Sequence, residues 1–241
     1  RTARRATLRQ AREVASQPPS FWPWFPLRPG GEDEVRVLYA HDAGQQQTLV
    51  RLQDFTRPES AAVGQVGPVR RYPGLLLHPA EGMPDFDGDG HHDLLLVSSE
   101  LPAPTVDRMS QALVEGVWAM RLAVHRYDPA RGRFAPRAAG RLRIEVPLMW
   151  ALRLTGGAPL RPLVAGAVDG DGFADLGVST GNRRYSVWRW RDDGFTGEPF
   201  VHTADQELTE LVFAERRGPG ERIPAIVLRG GDNLYVLRAP D

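Results

Sequence analysis

Apolar and polar residues alternate with a period of two along much of the chain from about Val35 onward. Between Val117 and Tyr127, Trp118, Met120, Leu122 and Val124 fall on one face. Leu142, Ile144 and Val146 alternate with Arg141, Arg143 and Glu145. Ser186, Trp188 and Trp190 alternate with Val187 and Arg189. In an extended chain successive side chains point to opposite faces, so these segments are expected as strands with one apolar face. The unbroken run Leu94-Leu95-Leu96-Val97 reads as a buried strand. Turn signals such as Pro129-Ala130-Arg131-Gly132 and Asp192-Asp193-Gly194 separate the runs. Hairpin-like units recur around Val35–Gln53, Leu75–Val97, Leu163–Val178 and Leu208–Leu228. Their centres lie roughly 45 residues apart, a period that suggests propeller blades, with one interval about twice as long. That interval holds either one enlarged unit or two, which gives four or five units.

Two segments break the β pattern. Thr105 is placed to cap an internal helix in which Val106, Met109 and Leu113 share a face and which Gly116 stops. It is expected as an insertion packed over a sheet edge. Residues Arg1 to Ser16 read as a basic amphiphilic helix ended by Pro18 and Pro19. Its charge, from Arg1, Arg4, Arg5, Arg9 and Arg12, suits a solvated helix or peripheral contact with anionic lipid head groups. Phe21-Trp22-Pro23-Trp24-Phe25-Pro26 follows as an arm whose rings pack on the protein's own body or clamp a partner. The expected division is therefore an N-terminal helix and arm over 1–31 and a β domain over 32–241.

Composition narrows the function classes. The 241 residues include 25 Gly and 21 Pro, in keeping with a turn-rich globular fold. There is no Cys, which excludes disulfides, thiolate metal sites and Cys nucleophiles. Acids and bases balance at 30 each, which argues against a nucleic-acid partner. No apolar run is long enough to cross a membrane as a helix. The chain opens at Arg1 and not Met, as a processed product or a fragment would, so an upstream leader or anchor stays open.

The chemistry concentrates in two acidic loops. Residues 85–94 read Asp85-Phe86-Asp87-Gly88-Asp89-Gly90-His91-His92-Asp93-Leu94. Carboxylates at alternate positions repel one another unless a cation lies among them. Calcium takes six to eight oxygen ligands, and acids at the first, third and fifth positions of a loop suit it. Asp85, Asp87 and Asp89 stand there, Gly90 allows the sharp turn, the carbonyl of His91 follows, and Asp93 closes the shell. The twelfth position is Leu96 and not Glu, and the flanks are strands, so this is not an EF-hand. A second loop repeats the pattern: Asp169, Asp171, Phe173 and Asp175 match Asp87, Asp89, His91 and Asp93, while Ala167 stands where Asp85 does. With one acid missing, weaker binding is expected there, so the cofactor expectation is one or two calcium ions.

At these residues the chain resembles the FG-GAP and VCBS repeat families, which include the integrin alpha-chain propeller. Their signature is close to Asp-x-Asp-Gly-Asp-Gly-x-x-Asp-Leu, matched fully by 85–94 and in all but its first acid by 169–176. The resemblance covers two loops and their strands. It implies an all-β, propeller-like array of four-stranded blades, with each calcium loop between the first two strands of a blade.

An enzyme finds little support in the sequence. The six His are His41, His78, His91, His92, His125 and His202, and none shows metal-ligand spacing. There is no Gly-x-Ser-x-Gly elbow. The Gly-Gly pairs at 30–31, 156–157 and 230–231 lack a phosphate-loop context. The leading expectation is a non-enzymatic calcium-binding module outside the cytoplasm, which binds a protein or glycan or serves as a structural subunit of a cell-envelope complex. A carbohydrate-active lyase or hydrolase and a calcium sensor are the alternatives.

Overall fold

The computed structural model describes residues 22–27, 36–42, 47–54, 67–76, 83–99, 106–148, 163–166, 168–180, 183–192, 194–206, 208, 210–218, 221–230 and 232–237. The helix expected over 1–16, Thr105, His78 and Ala167 lie outside these residues.

The chain is mostly strand, arranged in small antiparallel sheets that follow one another in sequence. The first is β1 (Trp22–Leu27), β2 (Arg36–Asp42), β3 (Gln47–Asp54) and β4 (Arg70–Pro73), paired in that order. Next come β5 (Leu75–Leu76), β6 (Leu94–Ser99), helix α1 (Val106–Glu115), β7 (Val117–His125), β8 (Tyr127–Asp128), β9 (Arg133–Phe134) and β10 (Gly140–Pro147). Their sheet runs β10-β7-β6-β5, and β8 and β9 pair beyond the β7–β10 hairpin. The third group is β11 (Leu163–Gly166), β12 (Asp175–Ser179), β13 (Arg184–Trp188), β14 (Trp190–Arg191), β15 (Gly194–Phe195) and β16 (Phe200–Thr203). It repeats the second, with order β11-β12-β13-β16 and a β14–β15 pair. Last is a three-stranded sheet of β17 (Glu210–Gly218), β18 (Glu221–Gly230) and β19 (Asn233–Leu237).

Among the described residues, three apolar cores join the sheets. Leu94 and Leu96 of β6 pack with Leu38, Val50 and Tyr72 of the first sheet. Leu95 and Val97, on the other face of the same strand, pack with Leu176, Val178 and Trp188 of the third sheet. Tyr185 and Val187 of β13 then meet Leu228 of the fourth. A strand covered on both faces needs a continuous apolar run, which is why 94–97 does not alternate. Where alternation was expected on β7 it appears: Met120, Leu122 and Val124 are buried and Arg121 is exposed. On β10, Ile144 and Val146 are buried while Arg141, Arg143 and Glu145 face solvent.

The structure refines four sequence expectations. The long interval is one enlarged unit, with α1 inserted between β6 and β7. Helix α1 does end at Gly116, whose N–H donates to the Ala112 carbonyl over 2.8 Å, but Leu113 is 65% exposed and Ala112 is buried instead. Within the aromatic segment, Trp22–Leu27 pairs with β2 as an edge strand, so the first sheet begins inside the 1–31 segment. Two prolines are compatible with that place, because an edge strand has one row of N–H groups without a ladder partner. Finally, among the described residues the sheets do not close into a barrel or ring. The fold stated here is therefore the coarser one, mostly β in small antiparallel sheets.

Candidate metal centre

The first acidic loop joins β5 to β6, and the second joins β11 to β12, each pair antiparallel. Both loops use glycine at the same two places: Gly88 and Gly90 have φ of 72° and 87°, Gly170 and Gly172 of 77° and 93°. Side chains with a Cβ are strained in that region, so the Asp-Gly-Asp-Gly spacing dictates one shared backbone turn.

In the first loop Asp85 gathers the turn. Its Oδ1 accepts the Gly88 N–H and its Oδ2 the Gly90 N–H, each at 2.8 Å, while Asp89 Oδ1 accepts the His91 N–H at 2.8 Å. Carboxylate oxygens of Asp85, Asp87 and Asp89 lie within 4.8 Å of one another. Asp87 Oδ2 pairs with Arg126 Nε at 3.0 Å, and its Oδ1 is buried and, among the described residues, without a hydrogen-bond partner. Burial pushes the Asp87 carboxyl up from its ordinary pKa, the Asp89 and Asp85 charges add to this, and the Arg126 guanidinium and a hydrogen bond from the Asp89 backbone oppose it. The site is thus a set of hard oxygen donors with excess negative charge.

Asp93 stands apart from that group of three. It is 1% exposed, and its two oxygens accept the N–H groups of Phe86 at 3.0 Å and Tyr127 at 2.9 Å. It ties the loop to the start of β8. Burial raises its pKa to about 7, against the two hydrogen bonds and with the help of the Asp87 and Asp85 charges. The His91 and His92 side chains are half-buried, and the His91 ring lies 5.7 Å from that of Tyr127.

The second loop repeats the tie but not the acidic group. Asp175 accepts the N–H groups of Val168 at 3.0 Å and Trp190 at 2.9 Å, and burial raises its pKa to about 6. Asp169 Oδ1 accepts the Asp171 N–H at 3.3 Å, and Asp171 Oδ1 accepts the Phe173 N–H at 2.9 Å. Arginines cover the remaining oxygens. Asp169 Oδ2 is 2.6 Å from Arg191 Nη2 and 3.7 Å from Arg189 Nε, and Arg191 Nη1 also pairs with Asp171. Among the described residues, the carboxylate oxygens of Asp169, Asp171 and Asp175 are not gathered within 4.8 Å of one another as those of Asp85, Asp87 and Asp89 are.

The two loops touch. A Cβ on Gly88 would lie 2.7 Å from the Gly172 carbonyl oxygen, and the Ala174 N–H donates to the Phe86 carbonyl over 3.3 Å. Phe86, fully buried between Asp85 and Asp87, sets its ring 5.2 Å from Trp190 and 5.7 Å from Phe195. Phe86, Arg126, Arg189 and Arg191 were not singled out as site residues from sequence. The signal for the arginines is a matched pair, Arg126-Tyr127 and Arg189-Trp190, each preceding the residue whose N–H binds the loop's last Asp. No protein-family model, curated protein or solved structure matches the chain.

Proposed function

We propose that this chain is a non-enzymatic calcium-binding module in which an ion at Asp85, Asp87 and Asp89 stiffens the 85–93 loop. The observation that carries the reading is the carboxylate group within 4.8 Å, with Asp87 Oδ1 buried and, among the described residues, without a hydrogen-bond donor. A buried carboxylate oxygen without a donor costs free energy that a divalent cation offsets. The oxygen-only donor set fits calcium better than a transition metal. The sequential four-stranded meanders, each packed face to face on the next, support a propeller-like array of blades as the finer architecture.

With few acidic ligands the affinity falls on the order of 10⁻⁴–10⁻³ M, typical of extracellular modules. Such a site fills only where calcium is plentiful, which is the basis for placing the protein outside the cytoplasm. There the rigid loops would present a protein- or glycan-binding surface, or brace a cell-envelope complex. Calcium titration of the purified chain by calorimetry tests the reading. Heat of binding that disappears in Asp87→Ala supports it, and no uptake at millimolar calcium sinks it.

A further inference from the structure

We infer that Arg191 acts as a built-in cation that keeps calcium out of the second loop, so that the chain holds one ion and not two. The inference rests on the calcium reading of the first loop. The shared hydrogen-bond pattern sets the two units in register: Tyr127 and Trp190 each donate N–H to the loop's last Asp. The residue before each is an arginine that reaches the loop, Arg126 to Asp87 at 3.0 Å and Arg189 to Asp169 at 3.7 Å. The residue after each differs in sign. The first unit has Asp128, which is turned to Arg131 at 3.2 Å, and the second has Arg191.

The charge balance follows. In the first loop, three clustered carboxylates meet one guanidinium. In the second, Asp169 and Asp171 meet two, and Arg191 holds an oxygen of each. A guanidinium is permanently charged, and its fork suits two carboxylate oxygens at once. Because it is tethered, it competes at every calcium concentration. Ala167, in place of Asp85, removes a further ligand from the same loop.

The test is calorimetric titration of the full chain with calcium chloride. The wild type is expected to take one ion, and Ala167→Asp with Arg191→Asp to take two. Asp171→Asn should leave the first ion's affinity within about twofold, because it alters a site the ion does not use. Asp87→Asn should weaken it by about tenfold or more. Two ions in the wild type, or loss of an ion in Asp171→Asn, overturns the inference, as does a second site that fails to appear in the folded double variant. Should that variant not fold, Arg191→Gln alone must gain a second, weaker binding event or the inference falls. Melting of Arg191→Gln, Asp169→Asn and their combination in chelator decides the arginine's part independently. Coupled losses support it and additive ones overturn it. No uptake by the wild type would instead defeat the calcium reading of the first loop.

Discussion

The two acidic loops share a backbone and differ in what balances their charge. Each turns on two left-handed glycines and ends in a fully buried Asp that accepts two N–H groups. Yet Asp85 and Asp89 crowd Asp87 in one loop, and arginines cover Asp169 and Asp171 in the other. The lesson is that a loop motif contains two separable layers. The glycines and the last Asp build the turn, and the leading acids together with the residues opposite them set the charge balance of the loop.

The largest effect should come from the layer the loops share. Asp93→Ala strips the acceptor from the N–H groups of Phe86 and Tyr127, and Asp175→Ala from those of Val168 and Trp190. An orphaned buried donor costs about 1–3 kcal/mol, so each variant, with two of them, should lose about 2–6 kcal/mol. Chemical denaturation in chelator should give similar losses for the two. A loss confined to Asp93→Ala would mean that only one loop is built on its buried carboxylate. Next in size is Gly88→Ala against Gly170→Ala. Both carry the left-handed penalty, about 1–2 kcal/mol. Only at Gly88 would the new Cβ meet a carbonyl, that of Gly172, which adds about 1–3 kcal/mol of overpacking. Equal losses would show that the loops do not press on each other.

The third prediction separates the layers directly. Asp87→Ala removes a carboxylate whose burial and neighbours disfavour its charge. In chelator its melting temperature should change little. With calcium at about a hundred times the dissociation constant the wild type should gain about 2.7 kcal/mol, and the variant should lose most of that. Asp169→Ala breaks the arginine pairs and should lose the same amount with and without calcium. Equal losses for Asp87→Ala in both conditions would erase the distinction.

Much of this was legible in the sequence for local reasons. Period-two alternation located β7 and β10, and the apolar run at 94–97 marked a buried strand, because those signals depend on neighbours two residues away. The loop turns were legible because glycine spacing fixes φ. The balancing charges were not, since Arg126 reaches Asp87 across the inserted helix, and nothing near the loop announces it. The buried tie of Asp93 depends on Tyr127 in the same way. Leu113 satisfied helical spacing yet faces solvent, because periodicity identifies an apolar face without supplying a surface to cover it.

The smallest effect distinguishes the units by acid. His125 precedes Arg126 in the first unit, where the second has Trp188 before Arg189, and both side chains are buried. His125 Nδ1 lies 2.8 Å from the Ala135 carbonyl, its ring meets Tyr72 edge-on at 4.8 Å, and Nε2 has no partner among the described residues. Burial lowers its pKa from 6.5, the Arg141 charge adds to this, and the bond to Ala135 opposes it. The unfolded chain therefore takes up a proton near pH 6.5 that the folded chain resists. The contribution is intact above that pH and is lost as pH falls below it. Asp93 and Asp175, raised to about 7 and about 6, act in the opposite sense: the folded chain holds their protons more tightly, so they favour folding on acidification. The slope must accordingly be read as a difference. Between pH 7 and pH 5 in chelator, His125→Asn should lose less stability than the wild type, or gain more, whatever its constant offset. Parallel curves would show that the ring titrates alike in both states, and the first unit would then have no acid-sensitive core position that the second lacks.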